Sequence, residues 1–166
     1  MASREGTRAA ERVAFYDQVA AQAFEVFRFT GRVLDIGCGS CWARSRMPDA
    51  EYVGIDPVDK GQEFCGIAES LPFPDNHFDG VLCYSVLQHV MNPEKAMQEA
   101  ARVLRSGGYF GTLIAIDSQD PIFLNRFSES TALKLVRKHF RIDQSITVPG
   151  MYEADGSYLI LTATLP

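Results

Sequence analysis

The chain is short of most residues that would announce a specialised class. Four cysteines (Cys38, Cys41, Cys65 and Cys83) in 166 residues are too few for a disulfide scaffold. Cys38-Gly-Ser-Cys41 has Cys-x-x-Cys spacing, but no second pair exists to complete a four-ligand zinc site. His77 and His139 lack a metal-ligating neighbour, so no metal is expected. No apolar run reaches ten residues, against the ~20 needed to cross a bilayer. The first residues, Met-Ala-Ser-Arg-Glu, are charged with no apolar segment behind them, so no secretory signal is expected. Basic residues are not in excess: 21 acidic against 16 basic side chains give a net charge of -5, which argues against a nucleic-acid binder. Repeats, low-complexity tracts and Pro/Ser-rich linkers are also missing. What is present, 46% hydrophobic and 22% charged residues, describes one globular domain over residues 1–166, with a reducing cytoplasmic setting as the expectation.

Residues 7–28 suit an amphipathic helix, with Val13, Tyr16, Ala20, Ala23, Phe24 and Phe27 at three- and four-residue spacing and Gly31 beyond. Strands are expected at 32–36, 52–55, more weakly at 64–68, and at 78–84. Asn92 and Pro93 mark the start of a helix running to about Arg105, with Met97, Ala100, Ala101 and Leu104 on its apolar face and Gly107-Gly108 stopping it. A strand from Tyr109 to Ile116, a helix near Glu129–His139, and two final strands, 141–148 and 157–165, complete the pattern, with a hairpin turn at Tyr152–Gly156. Alternating strands and helices predict an α/β fold, a doubly wound (Rossmann-like), mostly parallel sheet with only the last strand antiparallel. Such sheets bind ligands at the carboxyl ends of their strands.

The most informative segment is Val33-Leu-Asp-Ile-Gly-Cys-Gly-Ser40. Two glycines directly after a strand let the backbone turn sharply and approach a ligand without side-chain clash. Gly54-Ile-Asp56 then ends the second strand in a carboxylate, which can accept both hydroxyl protons of a ribose and so selects for a nucleoside. A dinucleotide fingerprint would need a third glycine at position 42, where Trp42 stands, so a nicotinamide-type cofactor is disfavoured.

These segments and those that follow resemble the class I S-adenosylmethionine-dependent methyltransferases, small-molecule branch. Val33-Leu-Asp-Ile-Gly-Cys-Gly is similar to the family's first motif, Gly54-Ile-Asp56 to its second and Ala68-Glu-Ser-Leu-Pro-Phe-Pro74 to its third. Phe78-Asp-Gly-Val-Leu-Cys, Val86-Leu-Gln-His-Val-Met-Asn-Pro93 and Arg102-Val-Leu-Arg-Ser-Gly-Gly-Tyr follow in register. The resemblance implies a seven-stranded sheet whose reversed seventh strand lies between the fifth and sixth. It implies S-adenosyl-L-methionine as cofactor, S-adenosyl-L-homocysteine as product and a small-molecule methyl acceptor. Residue by residue, it implies that Asp35, Gly37 and Gly39 shape the methionine pocket and that Asp56 holds the ribose. The backbone of Ala68 would face the adenine edge, with Leu71 and Pro57 or Val58 beside the ring. Tyr84 and Ser85 would lie near the sulfonium, and Tyr16-Asp17 on an N-terminal helix (residues 1–30) would close over the amino-acid end.

The chain departs from the family in three places. Ile67 stands where an aspartate usually meets the adenine amino group; Glu69 is the nearest substitute, although a solvated surface position is the simpler expectation for it. Only eight residues, Pro57 to Phe64, separate Asp56 from Cys65, so a loop replaces the usual helix and the helix layer is trimmed. The segment Asp117–Phe127 is a short flap rather than a lid. An open site is therefore expected, or one completed by a second copy or a partner. His89 is the candidate general base, against a purely packing role. Trp42 either borders the cofactor or substrate or packs in the core, and Phe123 and Phe127 are expected to pack, against a substrate contact from the flap. The competing reading is a weakly active or inactive methyltransferase-fold protein that binds a cofactor or a partner.

Overall fold

The computed structural model describes residues 4–151 and 155–166, with backbone alone over 4–10. Seven strands form one sheet: β1 (Gly31–Ile36), β2 (Ala50–Asp56), β3 (Phe64–Cys65), β4 (Phe78–Tyr84), β5 (Leu104–Ile116), β6 (Arg141–Pro149) and β7 (Ser157–Thr164). Their order is β3-β2-β1-β4-β5-β7-β6. Strands β1 to β5 pair in parallel, while β7 runs antiparallel to both β5 and β6. The doubly wound sheet with one reversed strand is thus the fold expected. Strand order switches direction between β1 and β4, which opens a crevice at their carboxyl ends.

Alternation along each strand sends side chains to two faces. Leu34, Ile36, Val53, Ile55, Val81, Phe110 and Ile114 face one way, beneath α2 (Pro93–Val103) and α3 (Glu129–Arg137). Val33, Leu82, Leu113 and Ile160 face the other, beneath α1 (Arg4–Val26), which contributes Val19 and Ala23. A short 3-10 helix, Trp42–Arg46, joins β1 to β2, and a loop joins β2 to β3, so the helix layer is trimmed as anticipated. Asn92 caps α2 through its side chain, with Pro93 in the first turn. Ser128 and Thr131 form a capping box at the start of α3.

Several boundaries differ from expectation. Helix α2 ends at Val103 because Leu104 already pairs with Phe78, and a bulge then restores register at Gly80–Tyr109. Gly107 (φ +74) therefore lies inside β5 instead of stopping the helix. Strand β3 keeps only two residues, since the chain turns at Gly66 and bridges Ile67 to Ser70. Within the expected hairpin turn, residues 152–154 lie outside the described residues; Gly150 N–H donates to Gly156 O at 2.9 Å at its base. No helix of the described residues is long and apolar enough to cross a membrane.

Candidate nucleoside site at the strand switch

Strand β1 ends in a turn built for close backbone approach. Gly37 sits at φ +69, and a Cβ there would lie 2.4 Å from a methyl of Val86, so both conformation and packing demand glycine. Gly39 adopts φ +55 with open space where its side chain would be. The N–H groups of Gly37 and Cys38 both donate to Ile55 O, at 2.8 and 3.1 Å, which fastens the turn to β2.

Asp56 joins the two loops. Its Oδ2 accepts from Gly39 N–H at 2.9 Å and its Oδ1 from Val58 N–H at 2.9 Å. Each oxygen keeps a second lone pair for a ligand. Beside it lies a cavity of about 290 Å³ lined by Gly37, Asp56, Pro57, Ala68, Glu69, Ser85 and His89, all predicted site residues. Ile36, Gly66, Ile67, Val86, Val90 and Met91 supply the remaining wall, which is apolar. Val86, Gly66 and Met91 carry no polar group to draw attention in a sequence; the glycine–Val86 contact identifies the first of them only in three dimensions.

Glu69 is not a free surface carboxylate, contrary to the simpler expectation. Its Oε1 accepts from Met91 N–H at 2.8 Å and Asn92 N–H at 3.2 Å, donors left unpaired just before α2. Leu71 is a core residue and does not line the cavity; its N–H donates to Glu99 Oε2 at 2.9 Å. Ser85, at φ +58, accepts from Gln88 Nε2 at 2.7 Å. Gln88 is fully buried, and its backbone carbonyl accepts from Leu124 and Asn125 N–H at 2.9 and 3.1 Å. Asn125 also donates its side-chain amide to Leu87 O and Val90 O, so the flap is pinned to the turn carrying His89. The His89 ring meets Phe123 edge-on at 5.2 Å, and neither ring nitrogen has a hydrogen-bond partner among the described residues. Phe123 and Phe127 pack against the two cores, as expected.

Besides Leu71, and Gly39 in the turn itself, three predicted residues lie outside the cavity lining. Asp35 points to the opposite sheet face, 2% exposed, and accepts from Tyr52 O–H at 2.5 Å. Tyr84 packs edge-on against Trp42 at 5.1 Å, and Trp42 also meets Phe24. Tyr16 lies on α1 with its hydroxyl 3.5 Å from that of Tyr158. Burial pushes the Asp35 carboxyl up to about 7, with Tyr52 and Asp56 as smaller opposing and reinforcing influences. Between the ordinary carboxyl range and that value, the folded chain keeps a proton that the unfolded chain releases. Stability is therefore expected to fall as pH rises from about 4 to about 7, by a few kcal/mol, at most about 4, and then to level off. Urea unfolding at pH 5 and pH 8 checks this, and Asp35→Asn is expected to remove the slope.

Comparison with known proteins agrees with the geometry. A family model described as "Methyltransferase domain" matches residues 34–112, from β1 into β5, spanning the whole cavity. Over those residues the chain resembles the class I S-adenosylmethionine-dependent methyltransferases, and its fold is theirs. Along 116 residues the chain is 37% identical to the fatty-acid O-methyltransferase of Mycolicibacterium smegmatis, a match covering 59% of the chain and 41% of that relative. The chain spans about half or less of the length of the curated relatives it matches first. Among solved structures, the [4+2]-cyclase SpnF superposes with a TM-score of 0.78 at 22% identity, covering 90% of this chain and 81% of the other. A methyltransferase from Thermotoga maritima gives 0.70 at 23% identity, covering 87% of each chain. Both show the shared fold.

S-adenosylmethionine is the cofactor of this family, and the residues present fit its nucleoside half. An acid with spare lone pairs suits a ribose diol. Apolar walls suit a purine ring, and a backbone without Cβ at Gly37 suits close approach. Ile67, half exposed, adds an apolar side chain to that wall.

Proposed function

We propose that this chain transfers a methyl group from S-adenosylmethionine to a small-molecule acceptor. The observation that carries this reading is Asp56, tethered through both oxygens at the mouth of the cavity beside the glycine turn. Asp56 would hold the ribose hydroxyls, the Ala68 backbone the adenine edge, and Pro57 with Ile67 the faces of the ring. Gly37, Gly39 and Asp35 would shape the methionine end, with Tyr84 and Ser85 toward the sulfonium and Tyr16 closing over the amino-acid group. When bound, the cofactor supplies a methyl group already activated by its sulfonium. The protein's task is then mainly alignment, an effect worth up to ~7–11 kcal/mol in favourable cases.

A base is needed only where the acceptor's nucleophile carries a proton. His89 borders the cavity with neither ring nitrogen engaged among the described residues, and the pinned flap holds Phe123 against its ring. It would take the acceptor's proton at a ring nitrogen. Ile67 and the shortened loop after β2, the two departures that would weaken cofactor binding, line or flank the cavity without blocking it. With an acceptor in hand, His89→Ala is expected to lower kcat about 10²–10⁴-fold while leaving S-adenosylhomocysteine affinity within about twofold. Unchanged kcat across the pH range would assign His89 to packing. The proposal itself is tested by methyl transfer from labelled cofactor across a panel of hydroxyl, amine and carboxylate acceptors; labelled product in any lane supports it.

A further inference from the structure

The two cysteines of the glycine turn face each other on the side of β2 away from α2 and α3. Cys41 N–H donates to Cys38 O at 2.9 Å, closing a four-residue turn. Turns of this kind hold their end Cα atoms within ~7 Å, and disulfides span ~4.4–6.8 Å, so the backbone is already within bonding range. The thiols are in contact, with Cys41 Sγ 3.6 Å from Cys38 Sγ. Room for both comes from Gly54: a Cβ there would lie 2.9 Å from Cys38 Sγ and 3.0 Å from Cys41 Sγ. Cys41 holds a left-handed backbone (φ 58), unusual for a residue with a side chain. Its partial exposure makes it reachable, whereas Cys38 is buried.

We propose that Cys38 and Cys41 are a thiol-oxidation site, a dithiol that closes to a disulfide in place and staples the turn carrying Gly39. With a low-molecular-weight disulfide such as glutathione disulfide as oxidant, the steps balance. The Cys41 thiolate attacks one sulfur, forming a mixed disulfide and releasing one glutathione. Cys38 then attacks the Cys41 sulfur, forming the internal bond and releasing the second glutathione, each protein thiol's proton leaving with the departing thiol. Burial raises the Cys38 thiol above its usual range, which assigns the first attack to Cys41. Cys65, exposed, and Cys83, buried, touch no other thiol among the described residues. The closed form removes conformers from the unfolded chain and holds Cys41 in its left-handed state.

The test treats the reduced full chain with glutathione disulfide, alkylates free thiols and maps tryptic peptides; Val33–Arg44 carries both cysteines. The expected result is that this peptide loses two hydrogens and escapes alkylation. In parallel Tm rises by roughly 3–6 °C and returns on reduction. The rise persists in Cys65→Ser and is absent in Cys41→Ser. Alkylation at both Cys38 and Cys41, a stable glutathione adduct on Cys41, or a disulfide that leaves Tm unmoved would each overturn the proposal. None of these readings depends on bound cofactor or on methyl transfer.

Discussion

Replacing Asp56 with alanine is expected to weaken S-adenosylhomocysteine binding about a hundredfold or more. Hydrogen bonds to a charged acceptor contribute about 1.5–3 kcal/mol each, and a ribose diol would make two of them here. The loss has a second component, because the Asp56 carboxylate also accepts from Gly39 and Val58 N–H. Without it the turn after β1 and the loop after β2 lose their common anchor. Asp56→Asn separates the two effects. Its amide retains one acceptor oxygen, but its NH₂ group must face one of two backbone donors, so it is expected to recover only part of the affinity. Calorimetric titration of the three proteins checks the order, and similar melting temperatures would place the effect in binding and not in folding.

The second large effect concerns stability. Arg102 gathers the loop between β3 and β4 onto α2. Its Nε and Nη2 donate to the Glu99 carboxylate, both at 2.8 Å, and Nη2 also donates to Leu71 O at 3.0 Å. Its Nη1 donates to Phe73 O and to Asp75, each at 2.8 Å. Glu99 is 7% exposed and also accepts from Leu71 N–H. Arg102→Ala would leave the buried Glu99 carboxylate with only the more distant Lys95, at 3.8 Å, and two carbonyls without the Arg102 donors, so a loss of about 2–3 kcal/mol is expected. For a chain of this size that lowers Tm by roughly 5–10 °C. Lysine is not expected to rescue it, since a single ammonium cannot span the fork of acceptors. Arg102 also holds Glu99 below the usual carboxylate range. The stability from that pairing is present above the unfolded carboxyl's pKa and is lost as pH falls through the folded one, so the Arg102→Ala deficit is expected to shrink in acid. Because Leu71 and Phe73 share a core cluster with Ala68 of the cavity wall, the variant is expected to loosen that wall as well.

Much of this was legible in the sequence where periodicity or a single steric demand governs. Strand β4 came through to the residue because its apolar run is buried on both faces, and α2 began where Asn92 and Pro93 dictate. Gly37 and Asp56 were legible because a sharp strand-end turn and a terminal carboxylate have few other uses. The loop from Pro57 to Leu71 was harder. It has no period, so nothing in it shows that Glu69 returns beside the start of α2 or that Leu71 turns inward to Glu99. Asp35 illustrates a different limit. Its motif points to the cofactor, and nothing in the sequence shows that Tyr52 O–H meets its buried carboxylate. The early end of α2 depends on Leu104 finding Phe78, a long-range pairing that outweighs local helix propensity.

The most direct measurement of the central claim is calorimetric titration of the wild-type chain with S-adenosylhomocysteine at neutral pH. The cavity beside Asp56 predicts saturable binding at one site per chain in the micromolar range. A flat titration at millimolar ligand would contradict it, leaving the family's fold without its nucleoside site.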